Sequence, residues 1–239
     1  MKEKQQVHLH PMRVIAHIRS PFPTKFGIPR QSGLAAVQAR IVMEPPYRNP
    51  DAFRGLSDFS HLWLIWQFSE AVREGWSPTV RPPRLGGNTR MGVFATRSPF
   101  RPNPIGLSSV KIESIDLHTK DGPVITVSGA DLMDGTPIYD IKPYLSYTDS
   151  HPDALCGFAD PVREDRLSVI LPEDEESKLD SSVKDALISL LKGDPRPSYQ
   201  DDPDREYGFL FEQYEVRFRV SDDVLTVLSI EEMKKRTSP

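Results

Sequence analysis

The residues best suited to chemistry in this chain lie between Arg81 and Lys111, in the run RPPRLGGNTRMGVFATRSPFRPNPIGLSSVK. From Ser77 to Ile112 there are six basic side chains (Arg81, Arg84, Arg90, Arg97, Arg101 and Lys111) and no Asp or Glu. A guanidinium is a planar fork of donors that keeps its charge, so this set suits a ligand bearing carboxylate or phosphate. Prolines at 78, 82, 83, 99, 102 and 104 remove backbone donors and fix φ, which keeps most of the run out of helix interiors and central strands. The pattern predicts stiff loops around a short apolar strand, Met91 to Ala95. A Pro-rich loop with solvated arginines fits the composition as well, and residue types alone leave both readings open.

Charge is unevenly divided along the 239 residues. Residues 1–112 hold 16 basic and 6 acidic side chains, while residues 113–239 hold 14 and 28, so a net −4 conceals a basic first half. Such a split suits a polyanion partner, or neutralisation of one half by the other. One cysteine, Cys156, allows no intrachain disulfide and no cysteine zinc site. The terminal His8-x-His10 pair lacks a third ligand nearby, so no metal is expected. No apolar run nears the roughly 20 residues of a membrane helix, and MKEKQQVHLHP has no signal-peptide apolar core. A cytoplasmic location is expected.

The elements that must hold these loops read as short strands. Met12–Ile18 and Val37–Met43 are the first two. Leu56–Phe68 is apolar at nearly every position and predicts a central strand buried on both faces. Val110–Leu117 and Val124–Val127 pair through the Asp121-Gly122 turn. Ile138–Tyr147 follows, with Pro143 near its end. Many short strands between Pro/Gly loops predict a mainly β fold, a sheet or barrel, over residues 1–155. No GxGxxG follows a strand, so a Rossmann site is unsupported. After a linker at 148–165, residues 160–239 predict a small α+β unit: a brief strand at 168–171, a helix at 177–192 facing inward through Val183, Leu187, Leu190 and Leu191, and a hairpin of Phe209–Val220 with Val224–Ile230. Its acidic stretches, Glu173–Glu176 and Asp201–Asp204, read as solvated loops.

Four ordered strings carry a more specific signal: PRQSGL at 29–34, SHLW at 60–63, PRLGGNTRMGVFATRSPFRPNPIGLS at 83–108 and DLMDGTPIYDIKPY at 131–144. Together they resemble the TsaA-like (TrmO) family of S-adenosylmethionine-dependent tRNA methyltransferases. DPRPSY at 194–199 and the hairpin after it are similar to that family's smaller C-terminal domain. The resemblance implies a single-sheet β-barrel methyltransferase domain working as a homodimer. It implies methyl transfer to the exocyclic nitrogen of threonylcarbamoyladenosine beside the anticodon of threonine tRNA. Carried over by motif position, the donor would be held by Ser32, Gly33 and Leu34, by Ser69 and Glu70, by Arg97, by Leu107, and by Ser128, Gly129, Ala130 and Asp131.

The chemistry agrees with those residue types. Backbone N–H groups of Gly-rich loops suit an adenine or a carboxylate, and an acidic side chain such as Asp131 suits ribose hydroxyls or an α-amino group. An in-line displacement depends chiefly on positioning. Asp140, Lys142 and Tyr144 of DIKPY are candidates for drawing the proton from the acceptor nitrogen, with a structural Asp140–Lys142 ion pair as the competing reading. Lys25, Arg30, Arg84, Arg90 and Arg101 are placed along the anticodon-stem phosphates, and Phe94, Phe100, Tyr139 and Tyr144 are candidates for stacking a flipped base. A non-catalytic RNA- or nucleotide-binding module and a small-molecule methyltransferase are the alternatives.

Overall fold

Alternating burial, not continuous apolarity, shapes the first two-thirds of the chain. The computed structural model describes residues 9–159, 167–196 and 202–233. In chain order the strands are β1 (Ala16–Arg19), β2 (Gln38–Met43), β3 (His61–Gln67), β4 (Thr79–Val80), β5 (Met91–Gly92), β6 (Ile105–Thr119), β7 (Gly122–Ser128) and β8 (Pro137–Pro143). Six of them close into an antiparallel barrel ordered β1-β2-β7-β6-β3-β8, with β8 returning to pair with β1. Closure leaves no exposed sheet edge. Ile18, Ile41, Leu62, Leu64, Val110, Ile125 and Ile138 fill the interior. β6 serves two partners: its first half pairs with β3 and its second with β7. The turn from Thr119 to Gly122 closes the β6–β7 hairpin, with Gly122 at φ +82°.

The remainder forms α1 (Ser146–Asp149), β9 (Ser168–Ile170), α2 (Glu173–Glu176), α3 (Ser181–Lys192), β10 (Tyr207–Phe211), β11 (Tyr214–Ser221) and β12 (Val224–Glu232). A four-stranded sheet, β10-β11-β12-β9, packs against α3 through Leu187, Leu190 and Leu191.

Several expectations are corrected. The apolar run 56–68 is not a two-sided strand: Leu56–Asp58 is a 3-10 turn, and β3 buries only Leu62, Leu64 and Trp66. Met91–Ala95 is two residues of strand followed by a 3-10 turn: the Val93 N–H to the Pro78 carbonyl is the last bond of the pairing with β4, and the Thr96 N–H then turns back onto the Val93 carbonyl. The long strand from Phe209 is two strands, broken at Glu212, whose φ of +53° turns the chain. Glu173–Glu176 is a helix, not a loop, and Glu175 is buried, pairing with Lys178 and accepting the Ile230 N–H. Asp201 lies outside the described residues.

The two cores do not divide at residue 155. Between β1 and β2 the chain leaves the barrel, and Phe22, Ala35 and Val37 are buried in the C-terminal core beside Phe209, Phe211 and Leu190.

Candidate active site

Asp131 is the centre of the site. It follows β7 through the turn at Gly129, between Ala130 and Leu132 of the barrel core. Its carboxylate accepts the Ser108 hydroxyl at 2.5 Å, and Ser108 in turn accepts the Trp66 indole N–H at 2.9 Å. Ser108 and Trp66 point inward because they fall on the buried positions of β6 and β3. Withdrawal from water pushes the Asp131 carboxyl above its ordinary range; the Ser108 hydroxyl, the backbone N–H groups of Asp131 and Ser32, and the Arg97 charge pull it back. A partly desolvated carboxyl beside free backbone is suited to hydrogen-bond a polar ligand.

Loop 31–34 lies against this group. Gly33 donates its N–H to the Gly129 carbonyl at 2.8 Å, and a Cβ on Gly129 would meet the Gly33 backbone at 3.2 Å. Both glycines have φ near +80°, a conformation other residues resist. Arg97 donates to the Gln31 side chain from the neighbouring loop. Ser32, Gly33, Arg97, Gly129 and Asp131, drawn from three separate motifs, are therefore brought together.

The other expected donor-site residues are placed differently. Ala130 is buried in the barrel core, so only its backbone faces the site. The Ser128 hydroxyl donates to Glu113 at 2.6 Å on the outer surface, and with Lys111 it holds the Glu113 carboxyl below the usual range. Leu34 lines a water-sized cavity of about 30 Å³ shared with Ser189 and Leu190. Ser69 and Glu70 form an exposed 3-10 turn; the Phe68 N–H to the Pro104 carbonyl ties it to the start of β6, and Lys25 reaches the Glu70 carbonyl. Leu107 points outward, 57% exposed, in a cross-strand row with Ile65 and Asp140.

Asp140, Lys142 and Tyr144 share that outer face. Asp140 pairs with Lys142 at 2.9 Å through one oxygen and accepts the Ile141 N–H at 2.9 Å through the other. This geometry favours the ion pair over a proton acceptor. Tyr144 packs on Trp63 and His61, and Asp149 accepts both the Leu145 N–H and the Trp63 indole N–H, which together lower its pKa.

The basic residues also separate by role. Arg30 donates to the Asp194 and Arg196 carbonyls, and Arg101 to those of Val93 and Thr96. Both therefore shape the protein as well as charge it. Arg90 is exposed, while the Arg84 side chain lies outside the described residues. Phe94 (73% exposed) faces Trp76 at 6.0 Å, and the Arg73 guanidinium lies 4.0 Å over the Phe100 ring. Tyr139 is half-buried, at the bulge where β8 shifts register against β3. Ser108, Trp66 and Gln31 are the site residues sequence reasoning missed. Ser108 and Gln31 lie inside quoted strings, but a strand serine and a loop glutamine give no chemical signal. Trp66 looks like any core aromatic. Among the described residues no group of His, Cys, Asp and Glu could hold a metal ion, and no helix is long and apolar enough to cross a membrane.

A closed six-stranded barrel whose loops bring Gly33, Arg97, Gly129 and Asp131 together defines a β-barrel protein with a candidate polar-ligand site. Residues 17–150 match the tRNA-methyltransferase O N-terminal domain and residues 164–233 the TrmO C-terminal domain. The Escherichia coli tRNA (adenine(37)-N6)-methyltransferase is 42% identical over 226 residues, covering 91% of this chain and 96% of that protein. A Methanothermobacter thermautotrophicus chain named "Probable S-adenosyl-L-methionine-binding protein" is 35% identical over 139 residues, 58% of this chain and 93% of that one. A crystal structure of TrmO from Pseudomonas aeruginosa superposes with a TM-score of 0.76 at 33% identity, over 96% of this chain and all of that one. The chain belongs to the TrmO family.

Proposed function

We propose that this protein is an S-adenosylmethionine-dependent methyltransferase acting on N6 of adenosine 37 in tRNA. The finer reading is a threonylcarbamoyladenosine acceptor in threonine tRNA, methylated by a homodimer in the cytoplasm. The observation that carries it is the convergence of Ser32, Arg97 and Ser108, from two separate motifs, on the partly desolvated carboxylate of Asp131 in a third. When bound, S-adenosylmethionine supplies a sulfonium-activated methyl group, and the acceptor nitrogen loses a proton.

The residues fit that donor. Asp131 offers a carboxylate for ribose hydroxyls or an α-ammonium, and Ser108 fixes its orientation. At the Gly33–Gly129 contact the two loops meet as bare backbone, since a Cβ on Gly129 would press on Gly33 at 3.2 Å. Arg97, whose charge reaches Asp131, would meet a carboxylate or a substrate phosphate. Leu34, Ser69, Glu70, Leu107 and Ser128 make their contacts elsewhere, and the Ala130 side chain is buried in the core. The exposed outer row of Ile105 and Leu107 is where a second subunit would bring more of them into play. Asp140→Asn tests the proton acceptor: unchanged turnover at every pH assigns Asp140 and Lys142 to structure alone.

The deciding experiment is calorimetry with S-adenosylmethionine on native protein and Asp131→Asn, together with mass spectrometry of tRNA nucleosides from cells with and without the gene. Binding lost in the variant and a methylated adenosine lost with the gene support the reading. Donor binding without salt-sensitive tRNA affinity would instead indicate a small-molecule methyltransferase, and no donor binding at all a non-catalytic module.

A further inference from the structure

Ser32 and Gly33 touch the barrel at Gly129 and Asp131, yet both flanks of their loop are gripped by the C-terminal unit. On the entering side, Phe22 is fully buried with its ring 5.9 Å from Phe211, and the Pro21 carbonyl accepts the Glu212 N–H at 2.7 Å. Phe26 meets Phe209 edge-on at 6.3 Å. Gly27, at φ +92°, lies so close to Phe209 that a Cβ would overlap the ring. Arg30 reaches the Arg196 carbonyl at 2.8 Å. On the leaving side, the Ala36 N–H donates to the Ser189 hydroxyl at 3.2 Å, and Ala35 and Val37 are buried in the C-terminal core.

We propose that the C-terminal unit is a positioning element of the donor site: by holding Phe22–Arg30 and Ala35–Val37 it fixes where Ser32 and Gly33 stand against Asp131. This rests on donor binding at Asp131. A loop anchored only at Gly33 would have to lose its conformational freedom each time the donor binds. A loop held at both flanks is already ordered, so affinity is gained by preorganisation. Phe209 and Ser189 are the positioning residues, the first through packing on Gly27 and the second through its bond to Ala36.

The test uses the full chain with Gly27→Ala, Ser189→Ala and Ser189→Thr. Donor Kd is measured by calorimetry, KM and kcat with tRNA, and backbone hydrogen exchange over residues 24–36. Gly27→Ala, which is strained and overlaps Phe209, is expected to raise donor Kd and KM at least about tenfold. Ser189→Ala, which leaves the Ala36 N–H unpaired, is expected to raise both roughly two- to tenfold. In both, kcat at saturating donor stays within about threefold and the tRNA KM is unchanged. Ser189→Thr keeps the hydroxyl and restores donor affinity. If Gly27→Ala does not fold, the two Ser189 variants decide. Faster exchange in the loop with donor Kd unchanged overturns the proposal, as does a change confined to the tRNA KM, which would assign the C-terminal unit to the RNA. Asp131→Asn is the control in the same assay: if it too leaves donor Kd unchanged, the fault lies in the placement of the donor rather than in the clamp.

Discussion

At Asp131, burial and hydrogen bonding oppose each other, and the balance is adjustable one atom at a time. Removing the Ser108 hydroxyl takes away a bond to the charged form and leaves the Trp66 N–H unpaired in the core. Ser108→Ala is expected to cost about 1–3 kcal/mol of stability. It also moves the acidic limb of donor-dependent kcat/KM to higher pH, because the carboxyl then binds its proton more tightly. A pH–rate profile in which that limb stays put would show that Asp131 does not govern it. Asp131 also leaves a mark on stability. Its folded pKa is raised, so its contribution is fully present below the ordinary aspartate range and is lost as pH rises through the elevated value. Asparagine does not titrate, so the melting temperature of Asp131→Asn minus that of the native protein should climb with pH across that window. A difference independent of pH would mean the carboxyl is not perturbed. Asp131 stood out in the sequence as the first residue of DLMDGTPIYDIKPY. Ser108 did not, since only closure of the barrel turns its hydroxyl onto Asp131.

Among the elements, the β3–β6 pair does most to hold the site. Gly106 stands opposite Trp66, and a Cβ there would fall inside the indole. Gly106→Ala is therefore expected to cost about 1–3 kcal/mol through overpacking and to displace the ring that orients Ser108. Chemical denaturation measures the first effect and weakened donor binding the second. Stability lost with donor affinity intact would separate Trp66 from the site. The hairpin of β6 and β7 was readable because Asp-Gly announces a turn between alternating strands. The break between β10 and β11 was not, because Glu212 and Gln213 carry no turn signal. Glu212 takes a positive φ in the two-residue turn between the strands, and its N–H is held by the Pro21 carbonyl from the far end of the chain. The two-sided strand over 56–68 failed for a related reason. Trp63 and Ile65 are apolar yet outward-facing, and their faces are occupied by Tyr144, Asp149 and the Leu107 row, contacts that local periodicity cannot distinguish from a second core.

Over the whole molecule, the charge split along the sequence becomes a division of labour among the arginines. A polyanion is attracted by the summed positive surface, and each phosphate neutralised adds roughly 0.7–0.9 to the slope of log affinity against log salt. The residues expected along the anticodon stem are not equivalent in that sum. Arg90 is exposed on the loop before β5, whereas Arg30 reaches carbonyls that join the barrel loop to the C-terminal unit. Arg90→Ala is therefore expected to weaken tRNA binding uniformly across sequences and to reduce the salt slope by about 1. Arg30→Ala should act mainly on donor affinity, since its loss loosens the loop that carries Ser32 and Gly33. Fluorescence titration of tRNA at several salt concentrations, beside donor calorimetry, measures both quantities in each variant. If the two substitutions lower the salt slope equally and leave donor Kd unchanged, Arg30 is a phosphate contact like Arg90. The basic half of the chain would then act as one undivided RNA surface. If they diverge as expected, part of that charge serves the fold that holds the donor, and the RNA footprint is smaller than the count of basic residues suggests.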